Sequence, residues 1–436
     1  METLKKGDKK LLNAWAFYDW ANSVYTLVIA SAIFPIFYEL IFKERGNNVV
    51  FVFDYEIKDT AMITFVTALA FLIVAFISPF LSGIADYIGN KKAFMRFFCY
   101  LGGLSCISLY WFNLENLFIS YMAYLLGLIG FWASLVFYNS YLPDIAYPEQ
   151  QDKVSARGFS MGYIGSTILL IINLAMVMSA TNDAERLECM KYSFIMVGIW
   201  WIGFSHVTYY YLPTGTSTGH KVTKAVLFDG FKELKIVWKQ LQQNIVLKRY
   251  LSSYFVFIMA VQTMMLVATY FGATEINWET PSQKTTGLII CILVIQIVAV
   301  LGAFLTSRAS GKFGNINTLI FLNSFWAILC VFAYFVTEPN EFYIVAGFVG
   351  LVMGGIQSLA RSTYSKLLPE TDDTASYFSF YDVTEKIGIV IGMSIYGIID
   401  QVTGSMRNSS VFLAIFFVIG IILLLRIPKN NSLNAK

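Results

Sequence analysis

Histidine is almost missing from this chain: His206 and His220 are the only two in 436 residues. No H-E-x-x-H pair exists, which argues against an intramembrane hydrolase of the zinc-peptidase kind. Cysteine is equally uninformative as chemistry. Cys99, Cys106, Cys189, Cys291 and Cys330 show no C-x-x-C spacing, and four of them lie inside apolar runs. They read as small core residues and not as a disulfide framework or metal site. No P-loop is present, which argues against direct drive by ATP, and nothing calls for a cofactor. Charge is scarce at 14% of residues, with a net of +3 that gives no reason to expect nucleic acid. What fills the space is apolar: 57% hydrophobic residues, 17% of the chain aromatic. That is too apolar for a soluble protein of this length, so the chain is an integral membrane protein.

Apolar runs fall at 13–42, 61–84, 94–113, 117–141, 158–180 and 192–212, and resume at 250–272, 286–306, 316–336, 342–366, 381–400 and 410–427. Each is long enough to cross a bilayer as a helix. Six runs, a polar break and six runs predict an all-α membrane protein of twelve spans. The division is 1–212, a first six-helix bundle; 213–249, a linker; and 250–436, a second bundle. The N-terminal lysines Lys5, Lys6, Lys9 and Lys10 precede a long apolar run without a small-residue cleavage signal, so the first helix is expected to be retained.

If the N-terminus is cytoplasmic, only Lys43, Arg45, Lys58, Arg186, Lys191, Lys284 and Arg407 fall on the opposite side, and Arg361 and Lys386 fall within spans. The rest of the 31 Lys and Arg lie on the cytoplasmic side, which predicts an inner (plasma) membrane protein with both termini inside. In the linker, Val226, Leu227, Phe231, Leu234, Trp238, Leu241 and Ile245 share one helical face, opposite Lys232, Lys235, Lys239 and Gln242. This predicts an amphipathic helix along the membrane surface.

The halves repeat. Gly89-Asn90 after span two is echoed by Gly314-Asn315 after span eight, an offset of 225, and Tyr138 and Pro143 are matched by Tyr364 and Pro369, an offset of 226. Near-equal offsets at two places indicate a duplicated six-helix unit. Pro35 and Pro143 are expected to permit bends.

Ser82 to Lys92 (S-G-I-A-D-Y-I-G-N-K-K) looks like the motif that the major facilitator superfamily carries between its second and third helices, although Ser82 stands where Gly is usual. Four further stretches are more specific: W-A-F-Y-D-W-A-N-S at 15–23, S-A-R-G-F-S-M-G-Y-I-G at 155–165, G-G-I-Q-S-L-A-R-S-T-Y-S-K-L-L-P at 354–369 and F-S-F-Y-D-V-T-E-K at 378–386. Together, over residues 10–427, they resemble the Unknown Major Facilitator family, whose eukaryotic relatives include the autophagy-related vacuolar amino-acid effluxer. The resemblance implies the major facilitator fold, two pseudo-symmetric bundles whose first, fourth, seventh and tenth helices line a central cavity. Span four lacks the embedded Arg and span five the Gly-Pro pair of many proton-coupled drug antiporters, which argues against that class.

The costly residues in the spans are the site candidates. A carboxylate at a bilayer centre costs roughly 2.5–3.5 kcal/mol on insertion scales, so Asp19 is expected to face protein or water. Asp19, Asn22, Ser23 and Thr26 recur at i, i+3, i+4 and i+7, one face of an α-helix, and the resemblance puts that face on the substrate path. The alternative is that Asp19 pairs within its own bundle. In span ten, Gln357, Arg361 and Ser365 are spaced by four, with Arg361 about 10 Å above the end of its helix, a depth similar to that of Asp19. Asp19 and Arg361 are therefore expected to meet across the bundles, or Arg361 to hold a substrate carboxylate as a bidentate donor; snorkelling of Arg361 to the interface is the alternative. Glu385 is a second candidate protonation site, with Lys386, its neighbour in sequence, expected to serve a different partner. Asp86 is expected at the start of span eleven, where the helix dipole favours an anion, and Asp86 and Lys386 are read as gate residues. Tyr138, Asn139, Gln262 and Gln357 complete the candidate cavity, with Trp132 and Tyr364 as walls.

Gly158-Phe159-Ser160-Met161-Gly162 matches G-x-S-x-G but opens a membrane helix with no preceding strand, so it is not a hydrolase elbow. Its glycines, like Gly350 and Gly354, read as a small-residue packing face. The expectation is a monomeric, non-enzymatic secondary transporter in membrane lipid, moving a small polar or zwitterionic solute such as an amino acid by alternating access, with protons as coupling ion. A non-transporting sensor on the same fold and an amphiphile or lipid exporter are the alternatives.

Overall fold

The computed structural model describes residues 4–45, 49–52, 55–215 and 224–428. Among these residues the chain forms twelve long helical spans and one linker helix. Span one is composite, Lys9–Val24, Tyr25–Ala32 and Ile33–Arg45. Spans two to six are Asp59–Ile88, Lys91–Ser108, Leu117–Ser140, Pro148–Met178 and Asp183–Tyr211. The linker helix is Lys224–Gln243, and spans seven to twelve are Ile245–Glu275, Pro281–Phe313, Asn315–Ala333, Pro339–Leu367, Thr374–Thr403 and Met406–Leu425. Ten spans are long and apolar enough to cross a membrane on composition alone. Span six, rich in Trp and Tyr with His206 in its second half, and span eleven, which carries Asp382, Glu385 and Lys386, fall outside those ten. Membrane helices begin where their caps are, not where their apolar runs are: span five starts at Pro148, ten residues before its apolar run, and so carries Asp152 and Ser155 below the lipid-facing part.

Caps fix the turns. Asn182, Asn244, Thr280 and Ser405 accept hydrogen bonds from the first-turn N–H groups of spans six, seven, eight and twelve. Span two ends at Gly89, whose φ of 72° is left-handed, and Asn90 Oδ1 then accepts from Ala93 N at 3.2 Å to start span three. Between spans one and two, where the sequence suggested only a connection, Val49–Val52 and Tyr55–Lys58 pair as a short antiparallel hairpin, Val49 opposite Lys58.

Gly7 N donates to Ile145 O at 2.7 Å, which sets the chain start beside the turn from span four to span five. Arg249 donates to Arg426 O at 2.6 Å, joining the start of span seven to the end of span twelve. Both junctions lie on the face that carries the linker helix, called the linker side below. One apolar core gathers around Trp15, Tyr18, Tyr25, Phe34 and Trp201 from spans one to six, and another around Tyr254, Trp326, Tyr364 and Phe417 from spans seven to twelve.

The linker helix uses a narrower face than its sequence suggests. Val237 and Leu241 are buried, while Trp238 and Ile245 are exposed, Trp238 lying against Phe380 with ring centroids 5.3 Å apart. Gln240 Oε1 accepts from the Tyr377 hydroxyl at 2.9 Å, so the helix docks on the start of span eleven. The side chains of Val226, Leu227 and Phe231, and His220, lie outside the described residues.

Candidate functional site

Span one reaches the interface between the halves as a regular α-helix only as far as Val24. From Tyr25 to Ala32 it is a π-helix, and Ile33 N closes it by donating to Val28 O. Pro35 follows at once, and its missing N–H leaves the Ser31 carbonyl without its α-helical partner. Wider π turns shift the phase of the helix. Of the predicted stripe, Asp19 and Asn22 are buried, while Thr26, the second residue of the π segment, is half-buried and donates to Ser23 O at 2.9 Å.

Asp19 Oδ2 receives the Tyr138 hydroxyl at 2.8 Å and Arg361 Nη2 at 3.2 Å. The guanidinium comes from span ten of the other half and is satisfied almost completely: Nε donates to Ser155 Oγ at 2.9 Å, Nη1 to Asn139 Oδ1 at 3.2 Å, and Nη2 also to Ser155 O at 3.0 Å. Phe159 and Trp15 present ring faces to it, centroids 4.2 and 4.8 Å from the guanidinium carbon. With side chains 4% and 7% exposed, Arg361 and Asp19 form a buried ion pair between the halves and not a pair within one bundle. Protonating Asp19 would remove the charge opposite Arg361, so the junction is one that a proton can weaken.

Span five supplies more of this junction than expected. Ser155, buried and bonded to both Arg361 and Ser358 O (2.7 Å), gives little signal in the sequence, because a serine in a small-residue run costs little. Gly158 is the other surprise. A Cβ there would sit 2.3 Å from Asp19 Oδ2 and 3.1 Å from Arg361 Nη2, and at Gly162 it would sit 2.4 Å from Ser23 Oγ. The G-x-S-x-G glycines thus let span one close on span five, and their i, i+4 spacing was the available clue.

A second cluster lies higher on span eleven. Lys386 Nζ donates to Asp382 Oδ1 at 2.8 Å, approaches Glu385 Oε2 at 3.4 Å and stands 3.6 Å from the Trp132 ring centroid of span four. Glu385 Oε1 also accepts from the Gln262 amide of span seven. Glu385 and Lys386 therefore share one neighbourhood, because the long lysine chain bends back over the helix to reach both acids.

At the linker side, Asp86 accepts from Ala375 N at 3.2 Å and Ser376 N at 2.7 Å, capping span eleven from the other half. Lys91 bonds Asp144 and Thr374 beside it. The pseudo-symmetric turn uses a different acid: Asp152 of span five accepts from Ser310 Oγ at 2.8 Å and Asn315 Nδ2 at 3.0 Å and pairs with Lys366 at 2.7 Å. Gln357 joins the interface as acceptor for the Tyr163 hydroxyl at 3.0 Å. Tyr364, expected as a cavity wall, donates to Tyr377 O at 2.6 Å and packs against Tyr381, inside the second half. Ser365 is buried with its hydroxyl unpartnered.

Residues 7–436 match the family model described as vacuole effluxer Atg22 like. The chain is 31% identical over 430 residues to the uncharacterized MFS-type transporter YxiO of Bacillus subtilis (strain 168), covering 96% of this chain and 95% of that one. It is 21% identical to autophagy-related protein 22-1 of Aspergillus fumigatus, covering 99% and 92%. Among solved structures it is similar to the E. coli fucose:proton symporter FucP, with TM-score 0.69, 13% identity and coverage of 97% and 98%. The proton:xylose symporter XylE gives TM-score 0.71 at 12% identity, with coverage of 96% and 95%. At these identities the structures speak to the fold alone, and that fold is the twelve-helix one described above. The chain is a multi-pass membrane transporter and not an enzyme, and it belongs to the Atg22-like family of the major facilitator superfamily.

Proposed function

We propose that the chain is a secondary active transporter that moves a small polar or zwitterionic solute, such as an amino acid, by alternating access coupled to protons. The linker side is assigned to the cytoplasm and the membrane to the plasma (inner) membrane, as the Lys and Arg asymmetry favours. Two bundles, 1–212 and 250–436, rock about the interface with 213–249 as their connection. The observation that carries the reading is the buried Asp19–Arg361 pair, a titratable contact between the halves. A buried charge pair holds the halves together while both partners are ionised, and a proton on Asp19 leaves Arg361 buried and uncompensated, which favours separation. The Asp86 cap, the Asp152–Lys366 pair and the Asp19–Arg361 pair together favour a state closed toward the cytoplasm. Asn22, Tyr138, Asn139 and Gln357 surround the cytoplasmic end of the path, and Arg361 acts there as a gate residue, since its donors are already engaged.

The test is uptake and efflux in proteoliposomes with and without an imposed pH gradient. Wild-type protein is expected to accumulate solute only with the gradient, and Asp19→Asn to lose accumulation while eluting as a folded monomer. Unchanged gradient-driven accumulation in Asp19→Asn would remove Asp19 from the coupling.

A further inference from the structure

We propose that the cluster of Asp382, Glu385, Lys386, Gln262 and Trp132 is the site that takes the primary ammonium group of the transported solute, an inference that rests on the transporter reading above. Charge balance carries it first. Asp19 and Arg361 neutralise one another, whereas the second cluster holds two carboxylates and one ammonium, leaving one negative charge that the described contacts do not compensate. A buried uncompensated carboxylate is costly, and an added cation relieves it.

The second observation is an orphan acceptor. Asp382 is 6% exposed, and its Oδ2 is buried without a hydrogen-bond partner while Oδ1 holds Lys386. Glu385 Oε2 has only the long 3.4 Å contact with the same ammonium. Two acceptor oxygens are thus under-used in one place.

The third is the nature of the group already there. Lys386 shows that a primary ammonium fits between Asp382 and the indole face of Trp132, a face whose quadrupole favours cations. A solute ammonium is the same chemical group and shares the two carboxylates with it.

Depth makes the site reachable. Glu385 is about 17 Å along span eleven from its linker-side end, whereas Arg361 is about 9 Å along span ten from the same side. The cluster therefore sits beyond the Asp19–Arg361 contact as seen from the linker side, and Glu385, with a side chain 13% exposed, is the most open of these charged groups.

The experiment uses purified full-length protein in detergent and sodium-free potassium buffer, with thermal melting read for each of the common amino acids and for its N-acetyl derivative. At least one free amino acid is expected to raise the melting temperature by about 2 °C or more, and its N-acetyl form to do nothing. Glu385→Gln, which leaves Asp382 and Lys386 neutral together, is expected to weaken that response about 10- to 100-fold, as loss of a charged hydrogen bond does. Asp382→Asn serves as a second variant, and the ligand-free melt of each reports folding. Equal stabilisation by N-acetyl forms, an unchanged response in both variants, stabilisation by sodium chloride alone, or no response to any amino acid each overturns the proposal. Gradient-driven accumulation of a solute without an amino group in proteoliposomes would overturn it while leaving the transporter reading standing.

Discussion

At the scale of single residues, the buried Asp19–Arg361 contact leaves no room beside it, since a Cβ at Gly158 would stand 2.3 Å from Asp19 Oδ2. Asp19 and Arg361 stand out in apolar sequence because ionised groups in lipid are costly, and the structure brings them together. The groups that shape their contact were hidden, because Ser155 and Gly158 cost nothing in a membrane and look like filler. Gly158 is nonetheless the more demanding position, since any side chain there meets Asp19 Oδ2. Gly158→Ala is therefore expected to lower stability by about 1–3 kcal/mol, as overpacking does, and to cost transport as well. Thermal melting and proteoliposome uptake check both. Serine at the neutral, lipid-facing edge of the same helix, as in Ile171→Ser, is the control and is expected to leave both nearly unchanged, since Ile171 is exposed. A fully active, equally stable Gly158→Ala would mean that spans one and five do not need this closeness to work.

At the scale of elements, span positions and count followed from apolar runs, but helix ends and helix type did not. Polar first turns such as that of span five carry no hydropathy signal, and the π segment at Tyr25–Ala32 leaves no mark in the apolar pattern of span one. The capping of span eleven by Asp86 is different, because a carboxylate at a helix N-terminus follows from the dipole. Asp86 accepts two backbone N–H bonds across the halves, so Asp86→Ala removes both the charge and the acceptors. It is expected to weaken linker-side closure by about 1 kcal/mol, the usual worth of a cap. The readout is thiol labelling of a cysteine placed at Ser358, whose carbonyl meets Ser155 in the closed interface, in a background free of the five native cysteines. Labelling from the linker side is expected to rise several-fold in Asp86→Ala and little in Asp86→Asn, which keeps one acceptor oxygen. No change in either would show that the cap does not hold the interface.

At the scale of the whole molecule, the repeat was legible as near-equal offsets, while the division of labour between its copies was not. Tyr138 and Tyr364 occupy matched positions, yet one binds Asp19 at the interface and the other binds Tyr377 O within its own half. The matched turns have likewise exchanged their acids: Asp86 lies on the turn side of the first, whereas the second receives Asp152 from span five. Duplication fixes the scaffold, and later substitution decides which copy supplies each charge. Most of the named bonds between halves start from the linker-side parts of their spans, so tying those parts together should stop the cycle. Thr374 Oγ1 lies 3.3 Å from Asp144 Oδ1, and the Asp144 side chain is 32% exposed, open to an oxidant. In the cysteine-free background, the pair Asp144→Cys and Thr374→Cys is expected to form a disulfide that abolishes net transport, with activity returning on reduction. Each single variant, which loses the Lys91 contact but cannot be cross-linked, reports the cost of the substitution itself. Oxidised double variant that transports as fast as the reduced one would show that the halves need not separate on the linker side, and alternating access about this interface would be wrong.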